Sequence, residues 1–270
     1  KWETKNERTF APLAPEKAVY PKFEQPTNWT FLYNGQIAPF TNLTLSGVIW
    51  YQGEQDWNIP DQYRRHFTNL IADWRKQFKR PDLPFYFCQL PGFGRIVTDP
   101  NSNPPWARLR NGQFLVSRNV PNTGMAVSID IGDHSDIHPA DKQTLGYRVA
   151  REAERLAYGR KGVTAGPMYE SMKIEGDKIR LGFTNVGQGL YVKGKKLNCF
   201  AIAGKDGKFV WANARVEGNS VLVWADSVKH PVAVRYAWAS YPGEPNLYNL
   251  DGFPACPFRT DMPGYLLKKK

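Results

Sequence analysis

Cysteine is scarce in this 270-residue chain, with three residues, Cys88, Cys199 and Cys256, standing far apart. No CxxC pair occurs among them, so neither a zinc site nor a disulfide framework is indicated. Cys88 lies inside the apolar run FYFCQL and reads as a buried core thiol. Long apolar runs are also missing. None approaches the ~18 residues that crossing a bilayer takes, and no membrane partner is expected. No charged stretch followed by an apolar one marks a secretory leader. Signatures of nucleic-acid modules are absent as well, although 36 Lys and Arg against 25 Asp and Glu give a net charge of +11. That excess is scattered. Its clusters, RKQFKR (75–80), KGKK (193–196) and the terminal KKK, read as solvated faces or tails, so no nucleic-acid partner is expected. An acidic small substrate remains compatible with the charge.

What is present suits a globular protein: 41% hydrophobic and 14% aromatic residues, in a chain long enough for one large domain or two ordinary ones. The first forty residues are loop-like, and TFAPLAPEKAVYPKFEQP carries four prolines. Lys1 is not an initiator methionine, and the chain is expected to be a processed or truncated piece of something longer. Two sequons, at Asn28 and Asn42, matter only if the protein is secreted from a eukaryotic cell.

Between residues 45 and 162 apolar strands alternate with helical spacing. SGVIWYQ, LPFYFCQL and GMAVSIDI read as buried strands. IPDQYRRHFTNLIADWRKQF sets Tyr63, Phe67, Leu70, Ile71 and Trp74 at three- and four-residue steps, an amphipathic helix. PPWARLRNGQFLVSR has helical spacing after a proline-rich start, and PADKQTLGYRVAREAERLAYG runs from a proline to Gly159. This alternation predicts a parallel sheet covered by helices, with functional residues at the carboxyl ends of its strands. After about residue 163 the period changes to short β-branched and aromatic runs broken by EGD, KDGK and EGNS turns, which predicts an antiparallel sheet or sandwich. The expected organisation is therefore a linker over 1–44, an α/β part over 45–162 and a β-rich part over 163–270. The fold class is α/β followed by antiparallel β.

Two polar stretches follow strands in the α/β part. DIGDHSDIHPADKQ (130–143) packs four Asp and two His into fourteen positions. His134 and His138 are four apart, as in a helical metal pair, but Gly132 and Pro139 bracket them and argue against a helix. A loop-borne metal stays open. As a base, His138 would sit at a strand–helix junction and take a proton from a hydroxyl nucleophile, with a neighbouring carboxylate holding its tautomer. Equally, His138 could only satisfy a loop. In WYQGEQDW (50–57), Gln52 and Gly53 offer a side-chain amide and an unhindered backbone N–H, both suited to an oxyanion. A turn needing only the freedom of Gly53 is the plainer reading.

Five stretches together carry a resemblance: LYNGQIAPF, GVIWYQGEQD, DLPFYFCQL, PNTGMAVSIDIGDHSDIHPADKQTLGYRVA and RYAWASYPGEPNLYNLDGFPACPFRTD. They run in consistent order from about Leu32 to Asp261 and resemble the carboxyl-terminal part of sialate O-acetylesterases, members of the SGNH-hydrolase superfamily. The resemblance implies a serine esterase on a flavodoxin-like α/β domain joined to β-rich domains, acting on O-acetylated sialic acid without a cofactor. It implies Gln52 as an oxyanion donor and Gly53, Glu54 and Arg110 as substrate-binding residues, with Glu54 bracing the loop through an arginine such as Arg110. It implies His138 as general base. The superfamily spaces its acid and base as D-x-x-H, but Ser135 stands three before His138, so Asp136 is the first choice of acid, Asp133 the reserve, and a Ser–His dyad stays open. None of the nine serines lies in the family's G-Q-S-N-like context. The nucleophile is expected on an amino-terminal segment outside this chain, carried by a companion chain where family members mature into two. A secreted, periplasmic or lysosomal location is implied. Acetylated polysaccharide such as xylan is the alternative substrate. A non-catalytic carbohydrate-binding protein using Trp211, Trp224 and Trp238 is the alternative of another class.

Overall fold

The structure, a computed structural model, describes residues 32–262. Asn28, the whole proline-rich stretch at residues 9–26 and the terminal lysines lie outside them. The chain divides into two units, Lys1–Leu43 and Thr44–Lys270. In the first, a π-helical turn at Tyr33–Ile37 leads into a 3₁₀ turn at Ala38–Phe40.

In the second unit three short strands, β1 (Val48–Trp50), β2 (Phe85–Cys88) and β3 (Thr123–Ala126), form a parallel sheet in the order β1-β2-β3. Every residue of β2 is buried, as a strand covered on both faces requires. Phe85 and Phe87 point to α1 (Pro60–Gln77), where Trp74 meets Phe85 and Phe67 meets Phe87 edge-on. Tyr86 and Cys88 point the other way, to a core with Leu145 and Val149 of α3 (Lys142–Tyr158). Burial there pushes the Cys88 thiol up to about 12, so it behaves as an inert apolar group. α2 (Pro105–Asn119) packs along α1 and contributes Leu109, Phe114 and Val116 to the interior.

Helix ends follow the chemistry expected of them. Asp141 caps α3 by accepting from the Thr144 N–H at 2.9 Å, and Gly159 closes it in the left-handed region at φ +64°. One charged cluster departs from its expected solvated role. Arg75, within RKQFKR, is buried and donates to the carbonyls of Leu83, Pro121 and Asn122, tying α1 to the starts of β2 and β3.

The β-rich part is built from β4 (Met168–Glu175), β5 (Lys178–Thr184), β6 (Leu190–Val192), β7 (Phe200–Gly204), β8 (Phe209–Trp211), β9 (Asn213–Glu217), β10 (Ser220–Trp224), β11 (Pro231–Tyr236), β12 (Leu247–Asn249) and β13 (Phe258–Arg259). They form antiparallel sheets β4-β5-β10-β9 and β13-β11-β7-β8 and a small pair β12-β6. Phe258 stacks on Tyr169 and meets Phe183, Phe200 and Tyr236, one aromatic cluster shared by both four-stranded sheets. Trp238 is buried, whereas Trp211 is half exposed and donates its indole N–H to Thr98 O. Among the described residues no helix is long and apolar enough to cross a membrane.

Candidate active site

The carboxyl ends of the parallel strands gather three loops. The first leaves β1 through Tyr51, Gln52 and Gly53 into a 3₁₀ turn at Glu54–Asn58. Gly53 has φ +151°, and a Cβ there would come within 3.2 Å of Leu109 Cδ2, so the turn needs glycine on two counts. Gln52 is held at both ends. Its carbonyl accepts from the Tyr63 hydroxyl at 3.0 Å, and its Nε2 donates to Asp56 Oδ2 at 2.9 Å. The amide orientation is thus fixed with one of its two N–H bonds still available. Burial pushes the Tyr63 phenol up to about 12, which keeps it a donor.

The second loop follows β2, and the third follows β3. Gly132 of the third sits against Gly92 of the second, and a Cβ on Gly132 would overlap the Gly92 backbone. A Cβ on Gly92 would in turn press to 2.9 Å on the Tyr241 ring. Gly94 N–H donates to His134 O at 3.1 Å and Phe93 N–H to Ser240 O at 3.1 Å, so both loops are locked to each other and to the β-rich part.

Within DIGDHSDIHPADKQ the four aspartates have four different environments. Asp130 accepts both guanidinium nitrogens of Arg148, at 2.6 and 2.7 Å, and the Tyr248 hydroxyl at 2.9 Å, a buried network joining α3 and β12. Asp133 is exposed and accepts from Ser135 N–H, Ser135 Oγ–H and Asp136 N–H, which holds its carboxyl below the usual range. Asp136 accepts from the His138 backbone N–H at 2.8 Å, and its Oδ1 lies 3.5 Å from His138 Nδ1. Asp141 caps the helix. Only Asp136 stands beside the imidazole. His138 is 80% and Asp136 61% exposed, so the pair is presented at the surface just before buried Pro139. Ser135, the serine nearest in sequence, gives its hydroxyl to Asp133. Among the described residues no serine hydroxyl bonds to His138, and no three His, Cys, Asp or Glu converge as a metal site.

The expected pairing of Glu54 with Arg110 is not formed, and Arg110 is not exposed to a substrate. Arg110 is 1% exposed and gives its guanidinium to backbone carbonyls: Pro91 at 3.0 Å, Ser240 at 3.2 Å and Ala239. Desolvation lowers its pKa to about 9, which leaves it cationic at neutral pH. Its position on the inner side of α2, facing three carbonyls, makes it a strut between the β2 loop and the β-rich part. Glu54 instead lines an apolar cleft of about 530 Å³ together with Trp57, Phe93, Arg95, Trp106 and Ile137. That cleft brings the loop of Gln52 and Gly53 alongside the residue next to His138. Phe93 and Arg95 carry only a weak signal in the sequence, a Gly-rich loop directly after a buried strand, which many ordinary turns share, and Trp106 reads there only as one step of a helical spacing.

A model of the family described as "Carbohydrate esterase, sialic acid-specific acetylesterase" matches residues 25–155. Sialate O-acetylesterases of Pongo abelii and Homo sapiens are each 34% identical over 263 residues, covering 88% of this chain and 50% of the relative. The chain therefore spans about half the length of the curated relatives it matches. A crystal structure of a carbohydrate acetylesterase from Xanthomonas citri superposes with TM-score 0.81 at 40% identity, covering 85% of this chain and 54% of that one. Over residues 25–155 the chain belongs to the sialic acid-specific acetylesterase family of carbohydrate esterases.

Proposed function

We propose that this chain forms part of a serine esterase of the SGNH type that removes O-acetyl groups from sugars, sialic acids first among them. The observation that carries the reading is one cleft at the carboxyl ends of β1 and β3, lined by Glu54 and Gln55 directly after Gln52 and Gly53 and by Ile137 directly before His138. His138, oriented by Asp136, takes the proton of a serine hydroxyl as that oxygen attacks the acetyl carbonyl. The free N–H of the Gln52 amide and the Gly53 backbone N–H face the developing oxyanion. His138 then returns the proton to the departing sugar oxygen, and water clears the acetyl-serine by the same route.

The serine itself is assigned to an amino-terminal segment or companion chain. Two observations support this. None of the described serines serves His138. The outer edge of β1 has no partner strand among the described residues, and Ile49 on it is 68% exposed, unusual for a parallel strand. A secreted, periplasmic or lysosomal location would suit a glycan esterase of this kind. The test is hydrolysis of O-acetylated sialic acid by the full-length protein, beside acetyl-xylan. Preference for the former is expected. No turnover of any acetyl ester by the full-length protein would refute the proposal, and clear turnover by residues 1–270 alone would refute the assignment of the serine.

A further inference from the structure

Among the described residues Arg95 is the only cation lining the cleft beside His138, and Glu54 the only anion. The two are not paired, and among the described residues Arg95 has no hydrogen bond or ion pair of any kind, while its side chain is exposed. Its loop is nevertheless fixed on both sides. Gly94 N–H is held by His134 O at 3.1 Å, Val97 N–H by Tyr241 O at 3.4 Å, and Ile96 bridges to Tyr241. An unpaired guanidinium on an anchored loop, at a cleft whose other walls are Trp57, Phe93 and Trp106, sits where an anion can be drawn out of bulk water beside apolar surface. Trp57, 53% exposed, offers a ring face for the C–H face of a sugar.

We infer that Arg95 is the specificity-determining residue of this cleft, receiving the carboxylate of an acidic sugar through its planar fork while Trp57 and Phe93 take the sugar's apolar face. The inference rests on the proposed esterase site and deepens it: it selects an anionic acetylated sugar over a neutral one. Arg95 touches no reacting atom; it sets affinity, not the chemical step.

The experiment uses the full-length protein and its R95Q and R95K variants. Binding of free N-acetylneuraminic acid and of its methyl ester is measured by titration calorimetry, and hydrolysis of 4-nitrophenyl acetate is followed alongside. The acid should bind more tightly than its ester, R95Q should weaken the acid by about tenfold or more and leave the ester unchanged, and R95K should recover part of the loss. On O-acetylated sialic acid the loss should fall on KM rather than kcat, with 4-nitrophenyl acetate turnover unaltered. If the protein hydrolyses acetyl esters but binds acid and methyl ester alike, the inference falls and the esterase reading stands. If it discriminates through Arg95 without hydrolysing any ester, the inference stands and the esterase reading falls. Equal losses of R95Q on every substrate would assign Arg95 a merely structural role and overturn the inference.

Discussion

Replacing Asp130 with alanine is the sharpest probe of how the His138 loop is anchored. The carboxylate faces Arg148 with 10% and 6% side-chain exposure, and it also accepts from Tyr248. Removing one partner of a buried ion pair typically costs about 3–5 kcal/mol, because the survivor stays desolvated and unpaired. Arg148 keeps the Val127 carbonyl at 2.8 Å, so the low end, about 3 kcal/mol, is expected for D130A. In a unit of this size that lowers Tm by about 6–12 °C. Y248F removes a single hydrogen bond and should cost about 1 kcal/mol. Urea unfolding followed by fluorescence would supply the free energies, and a D130A/R148A cycle the coupling. The double mutant should lose much less than the sum of its singles, since it leaves no orphan charge. A D130A loss under about 1 kcal/mol, or additivity in the cycle, would refute the view of this pair as a buried anchor.

In the full-length enzyme, H138A should abolish ester turnover while sugar binding, followed by calorimetry, persists; near-normal activity would remove His138 from its role. D136A should lower kcat by about tenfold or more, and D133A less, because only Asp136 stands beside the imidazole; the reverse order in steady-state assays would make Asp133 the acid. R110A should destabilise by about 3 kcal/mol or more in urea unfolding, leaving the Ala239 carbonyl without its donor, Pro91 O with Trp106 Nε1–H alone and Ser240 O with Phe93 N–H alone. G53A combines a strained φ with crowding against Leu109 and should cost about 1–3 kcal/mol while depressing kcat, read from melting curves and initial rates.

Periodicity carried the helices and the change of architecture, because amphipathic spacing and β-branched runs reflect burial directly. Strand ends were less legible. GMAVSIDI reads as one strand, yet β3 stops at Ala126, and Val127, Ser128 and Ile129 are buried in irregular chain; apolar composition signals burial, not pairing. The candidate site was legible in part, through the glycine and histidine at strand ends. What the sequence could not separate were residues of one type with different partners. Asp130 and Asp136 look alike in the string, but one serves an arginine 18 residues away and the other a histidine two away. Arg75 looks like surface charge and Arg110 like a partner for Glu54, because carbonyls that receive them lie 46 and 130 residues off. Arg95, whose chemistry is that of any exposed arginine, gained meaning only from its neighbours in space.

The stacking of Gly132 on Gly92 and of Gly92 on the Tyr241 ring leaves no room for even one methyl group across three chain segments. At the proposed site, drift in substrate preference therefore has few places to occur. Neither glycine can vary without prising the histidine loop from the loop behind it, whereas Trp57 and Arg95, exposed at the rim, can change one at a time at little cost to folding. A lineage of such enzymes would diversify along that rim and keep its centre still.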